Sequence, residues 1–203
     1  VKTCMRKLED FYSDAAKLRD IDTVTDELTK AGLSGDDRLM QTLAKRRSVR
    51  LGEVESRARG MSAVRLPPLP RLREKALAKR LNKVVAELAD EIGTLHSTSL
   101  ENDKEVARLH KLRKKCRELM YVLEYAKPDA STKRAGRLLE EARLELGSIM
   151  DDDIVLEFLW EVKAPPQLRS KFAHTRHAKF MKLVSSQSKA GKSGLLAAVA
   201  SLD

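Results

Sequence analysis

The sequence has few aromatic residues and no long apolar segment. Phe, Trp and Tyr make up only 4% of its 203 residues, which disfavours functions that stack several nucleobases on aromatic rings. No apolar run approaches the roughly 20 residues that span a membrane. The first residues also lack the charged and apolar pattern of a secretory signal. These absences predict a cytoplasmic protein without a membrane partner.

Cysteine is also scarce, and strand patterns are missing. Cys4 and Cys116 both fall within helical apolar patterns. We expect them to be reduced core residues, because nothing here indicates a disulfide framework. No segment alternates apolar and polar residues over the length of a strand, so no β-sheet is expected. The predicted fold class is all-α.

Charged residues are abundant, and bases exceed acids. Lys and Arg number 40 against 30 Asp and Glu, which gives a net charge of +10. A basic excess of this size indicates a polyanionic partner, such as nucleic acid, inorganic polyphosphate or an anionic membrane surface. The chain is long enough for one large domain or two small ones.

Apolar residues recur at helical spacing in six segments. The predicted helices are 1–30, 37–59, 71–93, 106–125, 131–163 and 167–184. Gly32 follows the first helix as an end signal. Three prolines within residues 60–70 predict a stiff connector, and residues 164–166 break the chain before the sixth helix. Residues 185–203 are predicted to be a tail that ends in a short apolar helical stretch.

The helix at 106–125 carries two neighbouring stripes. The apolar stripe consists of Leu109, Leu112, Cys116, Leu119, Met120 and Leu123. The cationic stripe consists of His110, Arg113, Lys114 and Arg117, followed by Tyr121. Because the two stripes are adjacent rather than opposite, the bases can line a groove between packed helices. This composition, poor in acids, predicts an anion-binding site; the alternative is a solvated face.

Further bases lie on three other predicted helices. They are Arg46, Arg47 and Arg50 on the second, Lys79 and Lys83 on the third, and Arg176 and Lys179 on the sixth. We expect these side chains to contribute to anion binding as well, again with a solvated face as the alternative.

The sequence repeats with an offset near 130 residues. A shift of 131 aligns the acidic helical run 19–24 with 150–155, and a shift of 129 aligns 44–51 with 173–180. The aligned bases are Arg47 with Arg176 and Arg50 with Lys179. Two helices that repeat in the same order predict two pseudo-symmetric helical halves.

The predicted halves are residues 1–97 and 98–184, within one domain that covers 1–203. The first half should have a counterpart of the 106–125 helix, about 20 residues before Val1 by the same offset. The sequence does not contain that helix, so the first helix of the first half is expected to be missing.

Three motifs carry a family resemblance. They are L-H-K-L-R-K-K-C-R-E-L-M-Y at 109–121, L-G-S-I-M-D-D-D-I-V-L at 146–156 and L-R-D-I-D-T-V at 18–24. Together they resemble the CHAD domain, the conserved histidine α-helical domain, over nearly the whole chain. The resemblance implies two four-helix bundles related by pseudo-twofold symmetry, with a basic groove between them. It also implies binding of long-chain inorganic polyphosphate, often beside polyphosphate-metabolising proteins.

The resemblance carries over to individual positions. Those that match the family's H-x-x-R-x-x-x-R/K helix are His110, Arg113, Lys114 and Arg117. Those that fall on its basic later helices are Arg46, Arg47, Arg50, Arg176 and Lys179. It implies a non-catalytic binding protein, cytoplasmic and at polyphosphate granules where these form. No cofactor and no metal are expected.

Two other functions stay open. A helical nucleic-acid-binding protein would share the basic surface and the salt-dependent affinity. A metal-dependent phosphohydrolase would hold Mg²⁺ on Asp20 with Asp22, or on residues 151–153. We favour a structural role for these acids, in which they order nearby arginines or simply face solvent.

Several other features receive the simpler interpretation. His174 and His177 are spaced for a metal but lack an evident third ligand, so we expect them on the basic face. A-G-K-S at 190–193 is not a phosphate-binding loop, because Ser186 replaces its first glycine and no strand precedes it. The aromatic side chains predicted to be in the core are Trp160, Phe158 and Phe172.

Overall fold

The computed structural model describes the chain at residues 2–61, 74–95, 100, 103–125, 129–190 and 194–202. Within these residues the protein forms seven helices and no strand, which confirms the all-α class. They are α1 (Lys2–Lys30), α2 (Arg38–Met61), α3 (Glu74–Gly93), α4 (Asp103–Leu123), α5 (Ala130–Glu161), α6 (Pro166–Ala190) and α7 (Leu195–Ala200). None of the helices in this part of the chain is long and apolar enough to cross a membrane.

The six predicted helices correspond to α1 to α6, with one clear difference. We predicted that the sixth helix ends at residue 184, but α6 continues to Ala190. The apolar side chains of Leu183 and Val184 pack into the core, and the Ser186 hydroxyl donates to the Leu183 carbonyl at 2.8 Å. Packing therefore overrides the low helix propensity of this serine-rich segment. The predicted connector falls almost wholly on 62–70, outside the described residues.

Local signals explain where α5 and α6 begin. The Asp129 carboxylate accepts the Thr132 backbone N–H at 2.8 Å, and the Thr132 hydroxyl accepts the Asp129 N–H at 2.9 Å. This is a reciprocal N-terminal cap, and the same backbone bond lowers the pKa of the Asp129 carboxyl. Helix α6 starts at Pro166, since proline fits the first helical position.

Helix α1 ends in a left-handed turn at Gly32, as predicted. The backbone φ of Gly32 is 98°. Its N–H donates to the Thr29 carbonyl at 3.0 Å, and the Leu33 N–H donates to the Leu28 carbonyl at 3.1 Å. These two bonds form a Schellman motif, which satisfies the last carbonyls of the helix.

Helix α5 ends in the same motif, but with a lysine in the left-handed position. Lys163 has a φ of 51°, and its N–H donates to the Trp160 carbonyl at 3.2 Å. The Ala164 N–H donates to the Leu159 carbonyl at 2.9 Å. A side chain in this conformation carries a steric cost that glycine avoids.

The chain divides into two compact units. Unit 1 consists of Val1–Pro70 and Asp151–Ala173, and unit 2 consists of Arg71–Met150 and His174–Asp203. Helices α5 and α6 therefore contribute to both units. The predicted repeat halves 1–97 and 98–184 have other boundaries, and that division stays a prediction.

Each unit has its own apolar core. The core of unit 1 includes Val24, Leu28, Leu43, Phe158, Leu159 and Phe172. The core of unit 2 includes Val84, Leu88, Leu109, Leu112, Cys116, Leu119, Leu139, Leu146 and Ile149. Four residues of the predicted apolar stripe of α4 are thus buried, while Met120 and Leu123 are half-buried and pack against this core. Burial raises the pKa of the Cys116 thiol to about 12. Cys4 is only half-buried, and both cysteines are free thiols.

The prediction for Trp160 was wrong. Phe158 and Phe172 are buried as predicted, whereas Trp160 is 63% exposed. The guanidinium carbon of Arg169 lies 3.9 Å from the centre of the Trp160 ring. The indole therefore lies on the surface of unit 1 in a cation–π contact with the next helix.

Candidate functional site

One side of α4 is neutralised by α3. Lys111 pairs with Glu91, and Lys115 pairs with Glu87. The hydrogen bond from Lys115 lowers the pKa of Glu87, and the bond to Glu91 raises the pKa of Lys111. The two lysines are four residues apart on α4, and the two glutamates are four residues apart on α3, so each pair lies on one side of its helix. The sequence therefore contained a signal for this ladder that our prediction did not use.

The predicted cationic stripe of α4 divides into two parts. His110 and Arg113 are half-buried, whereas Lys114 and Arg117 are exposed. Within the described residues, no carboxylate forms an ion pair with Lys114 or Arg117. These two cations therefore face solvent, where an external anion can reach them.

Arg113 packs where α5 has no side chain. Gly147 is buried, and a Cβ built on it would lie 3.7 Å from Nε of Arg113 and 3.8 Å from one terminal nitrogen. On the following residue, the backbone carbonyl of Ser148 accepts a hydrogen bond from Lys179 Nζ at 3.2 Å. Because neighbouring Cα atoms are about 3.8 Å apart, Arg113 of α4 and Lys179 of α6 approach the same turn of α5.

The remaining bases of unit 2 have different surroundings. A terminal nitrogen of Arg176 donates to the Leu100 carbonyl at 3.3 Å, just before α4 begins. On α3, Lys79 is exposed, and Lys83 lies 3.8 Å from Glu87. Arg176 thus joins α6 to the start of α4, while the two α3 lysines lie on an outer surface.

The three arginines predicted on α2 are held by carboxylates of unit 1. Arg46 forms two bonds of 2.8 Å to Glu161 and lies 5.3 Å from the centre of the Phe158 ring. Arg47 bonds Asp22 at 2.7 Å, and Arg50 bonds Glu53 at 2.6 Å. An anion that binds here must compete with these carboxylates. The Asp22 pair also fits the expected role of the acids in ordering arginines.

The acidic run of α5 is largely inside the protein. Asp152 is 0% exposed, and Asp151 and Asp153 are half-buried. Over the part of the chain that the structure describes, no three His, Cys, Asp or Glu side chains form a group that could hold a metal ion. His174 and His177 are both exposed on α6. The A-G-K-S motif falls mostly on residues 191–193, which lie outside the described residues.

A feature that our sequence reasoning missed is the distribution of charge along the chain. Residues 162–202 contain eight Lys and Arg and no Asp or Glu. This segment includes all of α6, which therefore has no acid of its own to neutralise its bases. The lack of Asp and Glu in this segment is visible in the sequence. The net charge does not show it, because that value sums over the whole chain.

A family model of the CHAD domain matches residues 3–160. The chain belongs to the CHAD domain family. No curated protein and no solved structure matches it. The family match ends in the last turn of α5, so the acid-free α6 of this CHAD domain lies beyond the matched residues.

The eleven predicted site residues of this CHAD domain fall in both units. Those in unit 2 are His110, Arg113, Lys114, Arg117, Lys79, Lys83, Arg176 and Lys179. Those in unit 1 are Arg46, Arg47 and Arg50. That they form one groove stays a prediction.

Proposed function

We propose that this CHAD domain binds long-chain inorganic polyphosphate without transforming it. The observation that carries the proposal is the contrast between paired and exposed cations. Lys114 and Arg117 are exposed on α4, and the acid-free segment 162–202 supplies further cations from α6. We therefore assign the larger share of the affinity to unit 2. Arg46, Arg47 and Arg50 would add a smaller share, because a carboxylate already partly neutralises the charge of each.

A phosphate chain suits such a surface chemically. It is a regular row of oxyanions without bases, so recognition needs repeated cations and little else. Arginine offers paired N–H donors, and lysine offers a compact charge. Half-buried Arg113 and Lys179, which approach one turn of α5, add cations whose positions are fixed by packing. Fixed positions reduce the entropy lost on binding.

The proposal also favours polyphosphate over nucleic acid. Sequence-tolerant nucleic-acid binding commonly adds aromatic rings on which bases stack. Aromatic residues make up only 4% of this chain, and Arg169 already covers one face of the exposed Trp160 ring. We also propose that the protein lies in the cytoplasm, at polyphosphate granules. There it would associate with polyphosphate-metabolising proteins.

The proposed absence of catalysis is consistent with the acids of α5. A carboxylate must contact the metal or the phosphate to act in phosphoryl transfer. Asp152 is fully buried, so a polymer cannot touch it without opening the unit. We accordingly assign Asp152 a structural role.

Competition between polyanions tests the proposal. The full chain is titrated with long-chain polyphosphate by calorimetry, first alone and then in the presence of single-stranded RNA of equal charge. We expect polyphosphate to displace RNA readily and RNA to displace polyphosphate poorly. RNA that binds equally well or better would replace the proposal with the nucleic-acid function. Mg²⁺-dependent release of phosphate that Asp151→Asn abolishes would replace it with the hydrolase.

A further inference from the structure

Two tyrosines continue the cationic stripe of α4. Tyr121 is 56% exposed and Tyr125 is 71% exposed. Tyr121 follows Arg117 by four residues, the spacing at which side chains on one side of a helix are neighbours. Tyr125 lies in the turn just after α4, where its N–H donates to the Val122 carbonyl at 3.2 Å. Along α4 the stripe therefore changes from cations to aromatic rings, which we call the tyrosine pair.

The side of α4 that carries the tyrosine pair is open to solvent. The apolar stripe of α4 forms one core with side chains of α3, α5, α6 and α7. These helices all belong to the described chain, and both tyrosines remain exposed beside them. The rings are therefore available to a ligand from solution.

The charges along the stripe give it a direction. Lys114 and Arg117 precede the tyrosine pair, and no carboxylate among the described residues forms an ion pair with either. Glu124 lies next to Tyr125 in the chain and is exposed. Like charges repel and opposite charges attract, so an anionic group is favoured at Lys114 and disfavoured near Tyr125.

Tyr121 also lies beside an ion pair of α5. Arg143 donates to Glu140 at 2.6 and 2.7 Å. The bond to Glu140, with a smaller contribution from Tyr121, raises the pKa of Arg143. Because Glu140 balances the charge of Arg143, the ring of Tyr121 borders a nearly neutral surface, which suits an uncharged part of a ligand.

The geometry points to a site for nucleoside oligophosphates, in which Lys114 and Arg117 bind the phosphates and the tyrosine pair stacks on the base. This inference rests on the proposed function, because it uses the same two cations of α4. Phosphate oxygens accept hydrogen bonds from lysine and arginine, and a base stacks on aromatic rings. Lys114 and Tyr121 are seven residues apart, about 10 Å along the helix axis. This separation suits a short phosphate chain and the nucleoside attached to it.

A free nucleotide suits this surface better than a strand of RNA. Proteins that bind single strands stack successive bases on successive aromatic side chains. The other exposed aromatic side chains among the described residues, Tyr12 and Trp160, belong to unit 1. Unit 2 thus offers one place to stack a base, which is enough for a mononucleotide.

Calorimetry with the full chain compares ATP with inorganic tripolyphosphate, both without divalent cations. Each ligand carries three phosphates, and the inorganic ion has at least as much negative charge, so the nucleoside alone can favour ATP. We expect ATP to bind about 5 to 100 times more tightly, the effect of stacking one base. Tyr121→Gln with Tyr125→Gln should remove this advantage and leave the affinity for long-chain polyphosphate unchanged. The matched control is Tyr12→Gln, at a 68% exposed tyrosine of α1, which should keep the advantage.

Three results would overturn the inference. The first is ATP that binds no more tightly than tripolyphosphate, and the second is an advantage of ATP that survives the double substitution. The third is single-stranded RNA that loses more affinity than ATP in the double variant, because the tyrosine pair would then serve a nucleic acid. If the double variant loses helicity by circular dichroism, Tyr125→Gln alone replaces it, since Tyr125 lies beyond the end of α4. The proposed function is judged separately, by the binding of long-chain polyphosphate to the wild type.

Discussion

The guanidinium of Arg113 lies 3.7 Å from the position that a Cβ would occupy on Gly147. Gly147 is a buried residue in the interior of α5, where glycine is an unfavourable choice for helix stability. A methyl group at this position would touch the guanidinium without displacing it, whereas a larger side chain would occupy the space that Arg113 fills. The contact with α5 therefore helps to fix the position of Arg113, a half-buried cation of α4.

Substitutions at Gly147 test this relationship. Alanine places a methyl group at ordinary contact distance, so Gly147→Ala should keep Arg113 in place and raise the free energy of unfolding by about 0.5–1 kcal/mol. The larger branched side chain of Gly147→Leu should displace the guanidinium and weaken polyphosphate binding about tenfold, the usual effect of losing one charged hydrogen bond. Urea unfolding and calorimetry measure the two effects. Equal affinity in both variants would show that the position of Arg113 does not matter for binding.

The left-handed residues at the ends of α1 and α5 offer a matched pair of substitutions. Lys163 has a φ of 51°, and Gly32 has a φ of 98° in the same motif. Lys163→Gly removes a steric cost of about 1–2 kcal/mol, partly offset by the greater freedom of glycine in the unfolded chain. We therefore expect a gain of about 0.5–1 kcal/mol in unfolding free energy, measured by urea denaturation.

Gly32→Ala is the reciprocal change. No atom lies within 4 Å of its added Cβ, so any loss of stability arises from the backbone conformation alone. We expect a loss of about 1 kcal/mol. If Lys163→Gly and Gly32→Ala shift the free energy of unfolding in the same direction, steric strain at Lys163 does not limit the stability of the turn after α5.

The pairing of Arg46 with Glu161 predicts a dependence of stability on pH. The hydrogen bond from Arg46 lowers the pKa of Glu161. A carboxyl whose pKa is lower in the folded chain adds stability above its unfolded pKa, and this is lost as pH falls through the folded pKa. Glu161→Gln should therefore lower the melting temperature at pH 7, with the difference from the wild type shrinking below about pH 4.5.

Glu157→Gln is the control for this measurement, because Glu157 is an exposed carboxylate on the same helix. It should follow the wild type at every pH. A difference for Glu161→Gln that stays constant from pH 7 to pH 3 would mean that lost packing of the side chain, rather than the ion pair, causes the effect.

Much of the fold could be predicted because its determinants are local. The helical spacing of Leu109, Leu112 and Cys116 identified the buried side of α4, and Gly32 identified the end of α1. The surroundings of single side chains depend on contacts distant in sequence and could not be predicted in this way. Trp160 meets Arg169 only after the chain turns into α6, and Arg46 meets Glu161 across 115 residues.

In the candidate site, too, local features could be predicted from the sequence and the surroundings of single side chains could not. Periodicity grouped His110, Arg113, Lys114 and Arg117 on one side of α4, but it could not tell which of them would be exposed. Exposure depends on α5, where Gly147 admits Arg113. The paired state of the α2 arginines was equally hidden, since their carboxylate partners include residues of α1 and α5.

The salt dependence of polyphosphate binding tests the central claim most directly. Affinity is measured by calorimetry at several salt concentrations for the wild type, for Lys114→Ala with Arg117→Ala, and for a control that removes two exposed bases of α2, Arg38→Ala with Lys45→Ala. Each lost phosphate contact reduces the slope of log affinity against log salt by about 0.7–0.9. The α4 variant should bind more weakly with a slope flatter by about 1–2, and the control should keep the wild-type slope. An α4 variant with unchanged affinity and slope would contradict the account.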